Sequence, residues 1–184
     1  MKTPVTIAAV VTALSATALG AYAAGGGTPT VTSAPAANVE AIHAWAQTAE
    51  YAGSKDGCRK CHLREYRSWE RTPHAKALEV LSDEEQKDPA CLKCHTTGYG
   101  TPTGFNLEAA NPQLANIGCE QCHGPGSVYM DKETMKDRDA SIAAGLLLPN
   151  EATCLGCHNS ESPTFSGEFD FEARKEDGVH DIKR

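Results

Sequence analysis

The pattern Cys-x-x-Cys-His occurs four times in this chain, as CRKCH at 58–62, CLKCH at 91–95, CEQCH at 119–123 and CLGCH at 154–158. The repeats start 33, 28 and 35 residues apart, and they use all eight cysteines. A disulfide framework is the ordinary reading of an even cysteine count in an exported chain. It gives no reason for a histidine after every second cysteine. A zinc site closes a tetrahedron with two such pairs and has no use for four adjacent histidines. A thioredoxin-like motif occurs once, in a βαβ setting. Covalent haem attachment explains every position. Two thiols on one side of a helical turn add across the two vinyl groups of a haem, and the next residue sets an imidazole beneath the iron. This assigns Cys58, Cys61, Cys91, Cys94, Cys119, Cys122, Cys154 and Cys157 to thioether bonds. It assigns His62, His95, His123 and His158 to the four irons.

Four haems c set the expected fold class. Aromatic residues make up only 6% of the chain, and large aliphatics are sparse after residue 39, so the macrocycles supply the apolar core. The expectation is a mainly α, small multihaem cytochrome, with short helices and long loops wrapped around closely packed haems and little or no sheet. The chain without haem should not fold, because too little apolar surface offsets its conformational entropy.

The beginning of the chain reads as an export signal over 1–23. Lys2 gives a positive start, small apolar residues run over 7–20, and Ala21-Tyr22-Ala23 is an A-x-A cleavage site. The apolar run is shorter than a membrane span of about 20 residues. A soluble mature chain without a membrane span, in the periplasm or outside the cell, is expected. Residues 24–38, rich in Gly, Pro, Ser, Thr and Ala, read as a flexible linker. A single domain over 39–184 follows. The formal net charge of −7 argues against a nucleic-acid partner, which calls for a basic patch.

Along that domain, Val39, Ile42, Ala46 and Ala49 recur at helical spacing, with Gly53 placed to end the helix. LREYRSWER is helical in character. Thr72 and Pro73 fit the N-cap and first position of another helix, running into HAKALEVL. Ser82 and Glu85 fit a capping box. Residues 96–116 read as loop with a short hairpin, 130–144 as helix, and the tail as loop ending in helix.

Four irons have eight axial positions, and the chain has seven histidines. Beyond the motifs only His43, His74 and His180 remain, so at least one iron lacks a second histidine. That iron is either open to a small ligand or takes methionine, from Met130 or Met135. The count holds equally for a homopolymer that exchanges histidines between subunits.

The chain resembles the cytochrome c-554 family of tetrahaem cytochromes. The resemblance is carried by SWERTPHAKALEVL, CLKCHTTGYG, NPQLANIGCEQCHGPG and FDFEARKEDGVH, and it covers about residues 57–182. It implies a mostly helical fold with haems stacked in close pairs. It implies that His74 crosses to the haem attached at His123 and that His180 ligates the haem attached at His158. It further implies a five-coordinate iron at His95. In the family the first haem takes its distal histidine from the segment after CHGPG. Here that segment, SVYMDKETMKD, has none, and His43 is the substitute, for this haem, the second, or a neighbouring subunit.

These readings point to an exported carrier that passes electrons between a donor and an acceptor redox protein. A second reading is an enzyme that reduces nitric oxide or a similar small molecule at the open iron. Multihaem nitrite reductases typically use Cys-x-x-Cys-Lys, which is absent here. A third is a homo-oligomer or extracellular filament, with His43 donated across the subunit interface. The Gly-Pro-Gly after His123 is expected to turn the chain with little bulk, letting another macrocycle pack nearby.

Overall fold

Short helical turns separated by Gly- and Pro-rich loops carry almost all the regular structure. The computed structural model describes residues 48–109, 111–175, 179 and 180, all within the unit Pro35–Arg184. The signal segment, the linker, His43 and the start of the helix expected from residue 39 lie outside the described residues. Among the described residues six α-helices follow in order: α1 Leu63–Trp69, α2 Pro89–His95, α3 Cys119–His123, α4 Arg138–Ala143, α5 Glu151–Leu155 and α6 Phe171–Arg174. Five 3-10 turns, Cys58–Lys60, Pro73–Lys76, Glu85–Lys87, Pro112–Leu114 and Thr134–Lys136, lie between or before them. Among the described residues extended pairing is limited to one antiparallel bridge, Thr96 to Ala115, which is all that forms of the expected hairpin. No helix among them is long and apolar enough to cross a membrane.

Local sequence explains where these turns start. Asp88 caps α2 by accepting from the Ala90 amide, and Pro89 opens the helix. Asn150 and Thr153 form a reciprocal capping box on α5. Ser82 and Glu85 make the expected box: the Glu85 carboxylate accepts from the Ser82 amide at 2.8 Å and from its hydroxyl at 2.7 Å. Two expectations need correction. Residues 49–53 are not helical, because the amides of Glu50, Ala52 and Gly53 donate to Ser127 Oγ and to the two Glu120 oxygens. HAKALEVL does not extend into a helix beyond Lys76. The Thr72 hydroxyl donates back to the Trp69 carbonyl and caps nothing, and the Leu78 amide is taken by Asn116 Oδ1 at 2.7 Å.

The side-chain core is thin. Among the described residues its buried apolar members are Ala49, Leu92, Leu114, Ile117 and Tyr129, while Val80, Leu107, Val128 and Leu148 are among the large apolar side chains left exposed. So few buried side chains leave the ordering entropy of this chain largely uncompensated.

One junction positions the rest. Trp69 Nε1 donates to the Ile117 carbonyl at 2.9 Å, and the Ile117 amide donates to the His74 carbonyl at 3.0 Å. Asn116, at φ 71°, makes the turn between them. Asparagine tolerates this left-handed conformation better than most L-residues.

Candidate haem-attachment sites

Each Cys-x-x-Cys-His lies on or beside a helical turn, as thioether attachment requires. The first starts on the 3-10 turn Cys58–Lys60 and the second fills the C-terminal part of α2. The third is α3, and the fourth runs from α5 into the following turn. All eight cysteines are free thiols. Among the described residues no group of three or more His, Cys, Asp or Glu side chains converges as a metal cage. Burial pushes the Cys122 thiol up to about 11, and burial together with neighbouring Cys94 pushes Cys157 up to about 12. Burial raises Cys91 and Cys154 as well. A redox-active dithiol needs the opposite shift. Cys58 and Cys119 share a proton, which raises Cys58 and lowers Cys119.

These neighbours reveal a spatial order. The first site meets the third through Cys58 and Cys119. The third meets the fourth through Cys122 and Cys154, and the fourth meets the second through Cys157 and Cys94. An ion pair from Lys93 to Glu161 reinforces the last junction. The sites therefore run first, third, fourth, second.

The histidines are arranged for iron. The His123 ring faces His180 at 6.3 Å between centroids, and His74 faces His158 at 6.0 Å. Two imidazoles bound to one iron, each nitrogen about 2 Å from the metal, stand about 6 Å apart by centroid. Nδ1 of His123 lies 3.1 Å from the Leu147 carbonyl, and Nδ1 of His95 lies 2.5 Å from the Ala77 carbonyl. A carbonyl only accepts, so Nδ1 carries the proton and Nε2 is left for a metal. Burial lowers the proton affinity of both His123 and His158, favouring the neutral, ligating imidazole. Phe169 stacks on His158 at 4.8 Å and fixes its plane. His180 Nδ1 is buried without a hydrogen-bond partner. These residues fit haem.

The pairing corrects one expectation. His74 stands opposite His158 and His180 opposite His123, the reverse of what the resemblance implied. The tie from the Ile117 amide to the His74 carbonyl holds that turn against the lead-in to the third motif, while its ring is presented to the fourth. The two facing pairs involve neither His62 nor His95. Met130 is exposed, and the Met135 sulfur lies 3.8 Å from the Ser141 hydroxyl, a packing contact.

The Gly-Pro-Gly turn packs closely against protein. Gly124 takes φ 77°, and a Cβ there would lie 3.2 Å from the Gly145 carbonyl. A Cβ on Gly126 would lie 2.9 Å from Glu120 Oε1, and its amide donates to that same oxygen at 2.7 Å. The turn closes over Glu120, a residue inside the third motif that is only 2% exposed. Sequence reasoning missed Glu120. Its signal was an acidic residue between the two cysteines with Gly-Pro-Gly just beyond.

Comparison with known proteins finds relatives of the same fold. A family model described as cytochrome c554 and c-prime matches residues 57–124. Cytochrome c-554 of Nitrosomonas europaea is 38% identical over 151 residues, covering 66% of this chain and 63% of the relative, so the chain spans less than two thirds of that protein's length. The solved structure of reduced cytochrome c554 from Nitrosomonas europaea superposes with a TM-score of 0.58 at 25% identity, over 72% of this chain and 85% of that one. Helical turns, paired thiols and facing imidazoles on this scaffold define a c-type cytochrome. Within that class, the chain is similar to the cytochrome c-554 family.

Proposed function

We propose that the protein is an exported tetrahaem electron carrier, working in the periplasm or outside the cell between a donor and an acceptor redox protein. The observation that carries this reading is the pair of imidazole couples at iron-spanning distance, His123 with His180 and His74 with His158. When bound, haem supplies a one-electron iron couple. The chain supplies the rest. Each cysteine pair fixes one macrocycle, and the backbone carbonyls of Leu147 and Ala77 hold the rings of His123 and His95. Facing histidines close two irons to substrate, which suits transfer of electrons alone. The adjacency of the attachment sites gives a route from the first to the third, the fourth and the second. The apolar segment 7–20 and A-x-A at 21–23 support export.

A second reading, reduction of nitric oxide or a similar small molecule, rests on His95, which belongs to neither facing pair. Pyridine haemochrome analysis and mass spectrometry of the purified protein test the count, with four haems per chain expected. Low-temperature EPR followed by CO addition then separates the readings. A high-spin signal with CO bound at one haem in four keeps the reductase alive. Wholly low-spin spectra without CO binding leave the carrier or a filament of the same chain.

A further inference from the structure

Glu120 occupies an unusual place for a carboxylate. It lies inside the third motif, between Cys119 and Cys122, and is 2% exposed. Its Oε1 accepts from the amides of Ala52 at 2.8 Å and Gly126 at 2.7 Å, and its Oε2 accepts from Gly53 at 2.8 Å. It takes part in none of the ion pairs found among the described residues. Tyr129 closes the far side: its hydroxyl donates to the Gly124 carbonyl, and burial, with Glu120 beside it, raises its proton affinity so that the phenol stays neutral. The segment it grips, residues 52–53, leads directly into the first motif. Ser54, next in line, accepts from the Cys119 amide at 3.0 Å. Glu120 is thus bound to the lead-in of the first site, to its own site, and to the turn that leaves it.

We propose that Glu120 is a positioning and potential-setting residue for the first and third haems: it locks their attachment sites together and places a buried negative charge beside both. A fixed negative charge in a poorly solvated site disfavours the added electron. It therefore lowers the midpoints of those two haems and leaves the fourth and second as the place where electrons rest. The two roles share one side chain, since the amides that neutralise its oxygens belong to the segments it joins. This inference rests on the tetrahaem reading.

The test uses the mature holoprotein. Haem counting comes first: a count other than four overturns the tetrahaem reading and leaves Glu120 aside as a separate question of fold. With four haems present, spectropotentiometric titration compares wild type with E120Q and S54A. E120Q keeps the shape and removes the charge, while S54A loosens the same junction without touching charge. The expected result is an upward shift of two of the four midpoints in E120Q and none in S54A. Unmoved midpoints in E120Q, a uniform shift of all four, or an equal shift in S54A overturns the proposal. Should E120Q fail to mature, redox-difference infrared spectra of wild type decide. A carboxylate band that shifts with reduction of the two lowest-potential haems supports it. A protonated-acid band there, or no band, overturns it.

Discussion

The His74 ring is placed by its own backbone more than by its neighbours in sequence. The Ile117 amide holds its carbonyl while the ring points at His158. Replacing His74 with Ala should therefore open the iron at the fourth site and leave the third untouched. Phe169 reports the difference because it stacks on His158 at 4.8 Å. With fluorinated phenylalanine, the paramagnetic shift of the Phe169 signal should change as a high-spin EPR signal appears. A change confined to the surroundings of His123 would restore the crossed pairing. Four attachment motifs and the shortage of histidine were legible in the sequence, because covalent and coordinate chemistry fixes residue types at fixed spacing. The ring opposite His74 was not, because it depends on which turns the Asn116–Ile117 junction pulls together.

At the scale of elements, the described helices, of at most seven residues, depend on caps and turns for their definition. Gly124 leaves α3 with φ 77° and faces the Gly145 carbonyl at the position a Cβ would crowd. Its ψ of 167° places it in a region that essentially only glycine enters, where an L-residue costs on the order of 1–3 kcal/mol, so G124A should lower the melting temperature of the holoprotein, as scanning calorimetry would show. The Ser82–Glu85 box carries a pH dependence. Hydrogen bonds from the Ser82 amide and hydroxyl hold the Glu85 carboxyl below its usual range. A lowered folded value means the contribution is present above the unfolded value and is lost as pH falls through the folded one. Exchange of the Ser82 amide should accordingly quicken only below the pH of about 4.3 at which free glutamate is already half protonated. Capping residues announced these turns in the sequence. The straightening of residues 49–53 was illegible, because a buried carboxylate 67 residues further on claims the Gly53 amide.

For the molecule as a whole, few apolar side chains are buried against one another among the described residues, and folding is expected to depend on the prosthetic groups. Chain produced without haem attachment should show little helical circular dichroism and rapid amide exchange throughout. The mature protein should show protected amides at Leu92, Thr96 and Thr97, which lie fully or almost fully buried. A protected, cooperative apo-chain would mean the side chains suffice by themselves. The fold class could be read from sequence for the same reason: a chain with little core of its own wraps what it is given. The order of sites in space could not, since thiol contacts between distant motifs leave no periodic trace.

That order bears on how the protein is made. The first site finds its neighbour only when Cys119 arrives, 61 residues after Cys58, and the second waits from Cys94 to Cys157. A chain cut off between the second and third motifs would therefore hold two sites and neither of their contacts. The links between sites can close only once the last motif is in hand.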